Sequence, residues 1–256
     1  MLVALTREVS PNIGQCELTY KQRETIDVDI ARDQHNQYME CLADLGCRVH
    51  CLPAEPLLPD SVFVEDTCIV LDELAIITRP GAESRRAETS SVAEALEAYR
   101  DLAFIEAPGT IDGGDVLRIG KTLYVGLSSR SNRAGVEQLR NLLATYDYEV
   151  KGVPIRDCLH LKSAVTQVAS SSLLINQTRV DPDDLKPMKL IEVDPSEPSG
   201  ANALLVGDTV VYPLGFNRTR KRIEDAGIEV RVVDISELRK AEAGITCCSV
   251  LFEFLG

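Results

Sequence analysis

Basic residues are in short supply in this chain: 27 lysines and arginines stand against 40 aspartates and glutamates, a net charge of −13. That balance excludes a nucleic-acid partner gripped by a broad basic surface. It favours the approach of a cation, as it would in any acidic protein. Histidine occurs only three times, at 35, 50 and 160, and none of the eight cysteines forms a Cys-x-x-Cys pair, so no structural zinc site is expected. No apolar run approaches the roughly 18 residues of a membrane span. The opening MLVALTREVSPNIG has neither a basic n-region nor a long apolar stretch of the kind that directs export. What these absences leave is a soluble, cytoplasmic protein whose cysteines (16, 41, 47, 51, 68, 158, 247 and 248) stay reduced and mostly pack in the core.

What is there begins with length and pattern. The 256 residues, 45% hydrophobic and 26% charged, can bury a full core as one domain spanning residues 1–256. A single arrangement recurs along them. VFVEDTCIVLDELAIITRPG reads as two strands with a turn at Asp72-Glu73, followed by a helical RRAETSSVAEALEAYRDL and a short strand AFIEA. It returns as TIDGGDVLRIGKTLYVGL with helix NRAGVEQLRNLLATY and strand YEVKGVPI, then as LHLKSAVTQVASSSLLINQ with turns around DPDDLKP and strand MKLIEV. A fourth copy runs ANALLVGDTVVYPLG, RTRKRIEDAG, IEVRVVDI. The fifth is split, its first strand in the C-terminal GITCCSVLFEFL and the rest in LVALTREV, DVDIARDQHNQYMECLADLG and CRVHCLP at the N-terminus.

Module starts at Val62, Thr110, Leu159, Ala201 and Gly244 give spacings of 48, 49, 42 and 43 residues. A strand-strand-helix-strand unit at such a period predicts radial modules. The expected fold is a five-fold pseudosymmetric α/β propeller, its ring closed by pairing of the N- and C-terminal strands. Closure would fasten the adjacent cysteines Cys247 and Cys248 on a core strand.

The repeat also aligns chemistry. Near the start of each first strand stand Glu65 and Asp66, then Asp112 and Asp115, then His160 and Lys162, then Asn202, then Cys247. Each has an ordinary reading: a glycine turn with flanking acids for IDGGDV, a core histidine between leucines, solvated acids at a strand end, surface arginines in SRR and GLSSRSN. Rotation about one axis would instead bring acids, imidazole and thiol together. A thiol near a cation or a histidine becomes a nucleophile, and the histidine can exchange protons at neutral pH. Paired carboxylates suit a planar guanidinium, and arginines such as Arg85 and Arg130 suit the anionic end of a substrate.

Together CELTY, LPDSVFVED, ITRPGAESRR, GTIDGGDVL, VGLSSRSN, LHLKSAV and TCCSVL resemble the dimethylarginine dimethylaminohydrolase family of guanidine-modifying enzymes, over nearly the whole chain. The resemblance implies the same five-fold propeller. It places the nucleophile on Cys247, the proton-transferring histidine on His160 and its supporting acid on Asp112, where some members carry glutamate. Guanidine contacts fall on Glu65 and Asp66 with Asp60 nearby, carboxylate contacts on Arg85 and Arg130, and a substrate-covering loop on the region of Leu18. Cys158 before LHLKS departs from the family, where glycine is expected.

The implied reaction is hydrolysis of an N-methylated arginine to citrulline and a methylamine through a covalent cysteine intermediate, with no metal or organic cofactor. Zinc would act as an inhibitor at Cys247 and His160, with Glu65 as a third ligand. The preferred substituted arginine and a homodimeric state are left open. An arginine deiminase is the near alternative, although no helical insertion is present to support it. A non-catalytic binding propeller is opposed by the retention of every polar position. A metalloprotein built on Asp112, Asp115 and His160 lacks a recognisable ligand spacing.

Overall fold

Twenty segments, fifteen strands and five helices, would be needed if every module were complete; the chain leaves one crossover as a turn. The computed structural model describes residues 1–254. Its strands are β1 Leu2–Arg7, β2 Arg48–Leu52, β3 Cys68–Val70, β4 Leu74–Ile77, β5 Asp101–Phe104, β6 Val116–Ile119, β7 Thr122–Leu127, β8 Glu149–Pro154, β9 Val165–Ala169, β10 Ser172–Ile175, β11 Lys189–Glu192, β12 Leu204–Val206, β13 Thr209–Pro213, β14 Glu229–Val233 and β15 Val250–Glu253. The α-helices are α1 Val28–Asp44, α2 Thr89–Leu96, α3 Arg133–Leu143 and α4 Asn217–Asp225.

The strands form five three-stranded sheets, ordered β3-β4-β5, β6-β7-β8, β9-β10-β11, β12-β13-β14 and β15-β1-β2. In each, the first two strands pair antiparallel and the second and third pair parallel. A parallel pair needs a crossover, which the helix supplies in four modules; in the third only the short 3-10 turn Pro182–Asp184 lies on that connection. The fold is the five-fold pseudosymmetric α/β propeller. Its fifth sheet joins the two ends of the chain, with Leu2 opposite Glu253 and Leu5 opposite Val250.

Local sequence explains the helices. Asp27 caps α1 by accepting from the backbone N–H groups of Asp29 and Ile30, a contact type that contributes about 1 kcal/mol. Ala31, Gln34, His35, Tyr38 and Leu42 then fall on one buried stripe at helical spacing. Asn132 caps α3 through Gly135 N–H, and Val136, Leu139 and Leu143 face inward.

One expectation is corrected. Cys247 and Cys248 do not lie on a strand but on a 3-10 turn, Thr246–Cys248, that precedes β15. The same device recurs at Val64–Thr67, Gly113–Asp115 and Leu161–Ser163, each ahead of a first strand. Glu65 and Asp66 therefore also sit on a turn, not on strand positions. A strand sends successive side chains to opposite faces; a tight turn frees neighbours from that alternation. The third strand of the first module likewise starts earlier than AFIEA, at Asp101.

Candidate active site

The 3-10 turns bring the aligned residues together. His160 Nε2 lies 3.1 Å from Asp112 Oδ2, and its Nδ1 lies 3.8 Å from Asp66 Oδ1. Asp112 is fixed in turn by Gly81 N–H, which donates to Oδ1 at 2.8 Å, and through its own N–H to Ser131 Oγ. Two carboxylates thus face the two ring nitrogens. Burial pulls the imidazole pKa down, but Asp66, the hydrogen bond with Asp112 and the charges of Asp115 and Asp112 outweigh it and raise it to about 9. His160 is an imidazolium at neutral pH. Burial works against the Asp66 carboxylate too, yet His160 and Arg85 bring it down to about 2.

The double glycine of IDGGDV is explained by close approach. A Cβ on Gly113 would meet the Glu65 carbonyl oxygen at 1.9 Å, and one on Gly114 would meet His160 Nδ1 at 2.6 Å and Asp66 Oδ1 at 2.8 Å. Gly114 N–H uses that proximity to donate to Asp66 Oδ1 at 3.0 Å. Only glycine lets the second turn lie this near the first and third.

Cys247 is half-buried, and Gly244 N–H donates to its Sγ at 3.3 Å. Burial first, then the carboxylates of Glu65 and Asp66, hold the thiol pKa well above its ordinary value. Its neighbour Cys248 is fully buried and packs in the core with Ile13, Tyr38 and Ile245. Of the two thiols, Cys247 alone has access to the axis.

Several of the sequence-predicted residues are partnered within the protein. Glu65 spends both oxygens inside the protein, accepting from Lys162 Nζ and from Thr246 Oγ1, each at 2.7 Å. Through these bonds it ties the turn beside Cys247 to Lys162. Arg85, 4% exposed, donates to Asp66 Oδ2 at 2.6 Å, to Glu88, and to the carbonyls of Asp60 and Phe63. Its guanidinium ties Asp66 to Glu88. The trio of Cys247, His160 and Glu65 expected to take zinc does not assemble. Among the described residues, the group with ligand atoms close enough to share an ion is Asp66, Asp112 and His160, all within 4.8 Å.

The remaining sequence-predicted positions lie as follows. Asp60 is buried and accepts from Glu17 N–H at 3.0 Å. Arg130 sits with Nη1 3.7 Å from Asp112 Oδ2 and donates through Nη2 to Thr19 Oγ1 at 3.2 Å. Leu18 is half-buried on the strap of chain that crosses this region. Cys158, where glycine was expected, is absorbed into the core beside Leu161 and Ala164.

The sequence reading aligned Asp115 and Asn202 with the site without a final role for either, and it missed His35 and Tyr38. Asp115 accepts from Ser128 Oγ, Ser131 Oγ and Leu161 N–H at 2.6–2.9 Å, so one carboxylate positions both the Arg130 loop and the His160 turn. Asn202 bonds Thr246 twice, through its side-chain oxygen and its amide. From α1, buried His35 lies against the Cys248 backbone and Tyr38 reaches Ser249 Oγ at 2.6 Å. The alignment of modules marked Asn202; nothing in local sequence marked His35 or Tyr38, which come from a helix more than 200 residues away.

The charges do not balance within the site. Asp60, Glu65, Asp66, Glu88, Asp112 and Asp115 are all buried there, against Arg85, Arg130, Lys162 and His160. Burial raises Glu88 to about 7 and Asp115 to about 6, with Arg85 and His160 respectively pulling the other way. A cationic ligand is what such a centre lacks.

Comparison with known proteins agrees. The family described as N,N dimethylarginine dimethylhydrolase, eukaryotic, matches residues 7–184. The N(G),N(G)-dimethylarginine dimethylaminohydrolase of Streptomyces coelicolor is 40% identical over 249 residues, covering 96% of this chain and 95% of its own. The Pseudomonas aeruginosa enzyme complexed with citrulline superposes with a TM-score of 0.90 at 34% identity, covering 97% of this chain and 98% of that one. A dimethylarginine dimethylaminohydrolase adduct with S-methyl-L-thiocitrulline gives 0.93 at 34% identity, covering 98% and 100%. By its sequence over nearly its full length and by its fold, the chain belongs to the dimethylarginine dimethylaminohydrolase family.

Proposed function

We propose that this protein hydrolyses N-methylated arginine, asymmetric dimethylarginine or monomethylarginine, to citrulline and a methylamine. The observation that carries the reading is the imidazolium of His160, held between Asp112 and Asp66 on turns that converge with the one that bears Cys247. The negative excess around them fits a guanidinium. Binding of citrulline and of a thiocitrulline by relatives of this fold supports the same substrate class.

The residues divide the work as follows. Asp66 receives the guanidinium, and the arriving positive charge lowers the thiol pKa so that the Cys247 proton leaves to solvent. The thiolate attacks the central guanidinium carbon and forms a neutral tetrahedral adduct. His160 passes its proton to the methylated nitrogen, the carbon–nitrogen bond breaks, and a neutral methylamine departs. A covalent S-alkylthiouronium cation remains on Cys247. Water then adds to its carbon while neutral His160 takes the proton. Collapse to the ureido product breaks the carbon–sulfur bond, and the hydroxyl proton passes to the departing sulfur, restoring the Cys247 thiol. Asp112 orients the imidazole throughout, and Arg130 with the strap around Leu18 meets the substrate's amino-acid end. Eight cysteines with no disulfide among the described residues support a reducing, cytoplasmic location.

Incubation with arginine, monomethylarginine, asymmetric dimethylarginine, hydroxyarginine and agmatine, with products identified by mass spectrometry, tests the assignment. Citrulline and a methylamine from the methylated arginines are expected; no turnover of either would refute it. Arg130→Ala should weaken arginine-type substrates by one to two orders of magnitude, given about 1.5–3 kcal/mol for a charged hydrogen bond. Agmatine, which lacks the carboxylate, should be far less affected.

A further inference from the structure

The segment from Glu17 to Lys21 crosses the site as a strap whose neck is closed by Arg23, which donates to the carbonyls of Gly14 and Cys16. Its tip has little packing to hold it down. Tyr20 is 59% exposed, Thr19 and Lys21 are exposed, and only Leu18 is half-buried. Beneath the tip lies a cavity of about 150 Å³ whose lining includes Tyr20, Lys21, Asn202, Glu242 and Gly244. The strap therefore spans a void, and hydrogen bonds must hold what apolar contact does not.

Those bonds converge on one side chain. The Glu242 carboxylate accepts from three consecutive backbone N–H groups: Thr19 at 3.0 Å, Tyr20 at 2.5 Å, and Lys21. Lys21 Nζ adds a bond to the Arg239 carbonyl at 2.6 Å, in the same loop. Glu242 itself has φ +61°, a left-handed conformation that a non-glycine residue adopts at some cost. Glycine would relieve the strain, but it has no carboxylate. Two residues later, Gly244 N–H donates to Cys247 Sγ. The loop that holds the strap is thus continuous with the turn that bears the thiol.

We propose that Glu242 is the latch of the strap, a positioning residue that sets how much of the protein holds residues 17–21 closed over the site and so sets substrate affinity. A carboxylate that accepts three N–H bonds is a strong, charge-assisted anchor, and among the described residues no other side chain binds more than one group of the tip. Asp60 and Arg130, which also hold the strap, do so through Glu17 N–H and Thr19 Oγ1 alone. The kinetic part of this inference rests on the proposed hydrolysis; the structural part does not.

Two variants and two measurements separate them. Glu242→Gly removes the carboxylate and relieves the backbone strain, and Glu242→Gln keeps one acceptor oxygen. Hydrogen–deuterium exchange of residues 19–21 in the ligand-free protein should quicken about tenfold or more in Glu242→Gly, for loss of bonds worth at least 1.4 kcal/mol together. Glu242→Gln should fall between it and the parent. KM for asymmetric dimethylarginine should rise about tenfold in Glu242→Gly, with kcat retained and thermal stability equal or higher. Unchanged exchange at 19–21 would overturn the latch, as would a fall in kcat with KM unchanged, which would make Glu242 a support of the Cys247 turn instead. Should Glu242→Gly not fold, Glu242→Gln carries the same comparison. If the parent protein turns over no methylated arginine, the exchange result still decides the latch, and the failure belongs to the proposed reaction.

Discussion

Iodoacetamide alkylates the thiolate form of a cysteine, so the pH dependence of its inactivation rate reads the ionisation of Cys247. In the ligand-free protein, burial and the charges of Glu65 and Asp66 keep that thiol protonated well above its ordinary range, and the Gly244 N–H offsets only part of this. His160 holds its proton up to about pH 9. A neutral thiol thus faces an imidazolium at neutral pH, and the free protein is poorly nucleophilic. A guanidinium against Asp66 changes the balance. Two unit charges about 4 Å apart interact by ~4 kcal/mol at an effective dielectric of about 20, which is about three pKa units. The inactivation rate of the free protein, followed as loss of turnover, should therefore still be climbing at pH 9. The acid-side inflection of kcat, which reports the substrate complex, should lie about three pH units lower. Coincident inflections, or an alkylation rate already level at neutral pH, would refute the reasoning.

Cys247→Ser should abolish turnover in a folded protein, whereas Cys248→Ser should keep turnover and lose stability, because a hydroxyl at a fully buried apolar position costs about 1–3 kcal/mol; equal loss of activity in both would overturn the assignment. His35 predicts acid sensitivity. Burial, only partly opposed by the Cys248 backbone beside it, lowers its pKa from the ordinary 6.5 to about 4, so the unfolded chain binds more protons between those values. Its contribution is full above pH 6.5 and is lost as pH falls toward 4, by roughly 3 kcal/mol in all. Urea midpoints across that window should fall more steeply in the parent than in a folded His35→Phe variant, and parallel curves would remove His35 as the cause.

The fold was legible because its information is periodic. Five repetitions of two strands, a crossover and a third strand survive variation in any one copy, and the split fifth copy already required the chain ends to pair, as Leu2 and Glu253 do. What periodicity could not reveal is the 3-10 turn ahead of four first strands. VEDT, GGD, LKS and TCC share no letters or alternation. They resemble one another only in what they approach, and that is a tertiary fact. The turns matter because they decide where neighbours point. Cys247 and Cys248 diverge as a strand would make them, yet Glu65 and Asp66 are both buried at the centre.

The site was legible in membership and less so in role, for an electrostatic reason. Alignment of the modules brings Glu65, Asp66, Asp112, His160 and Cys247 to one axis, but it cannot say which charges are already neutralised. A buried guanidinium must satisfy its N–H groups wherever it lies. Arg85 does so with Asp66, Glu88 and two carbonyls before any substrate arrives, and the Glu65 carboxylate accepts from Lys162 and Thr246. Asp66, although bonded to Arg85, and Asp112 are also the two carboxylates that face His160. The imidazolium and the bound cation then depend on the same carboxylates. Proton transfer from His160 to the departing amine would remove one of the two positive charges as the covalent cation forms. The arrangement thereby couples the charge state of the histidine to the step of the reaction, which no reading of positions alone could supply.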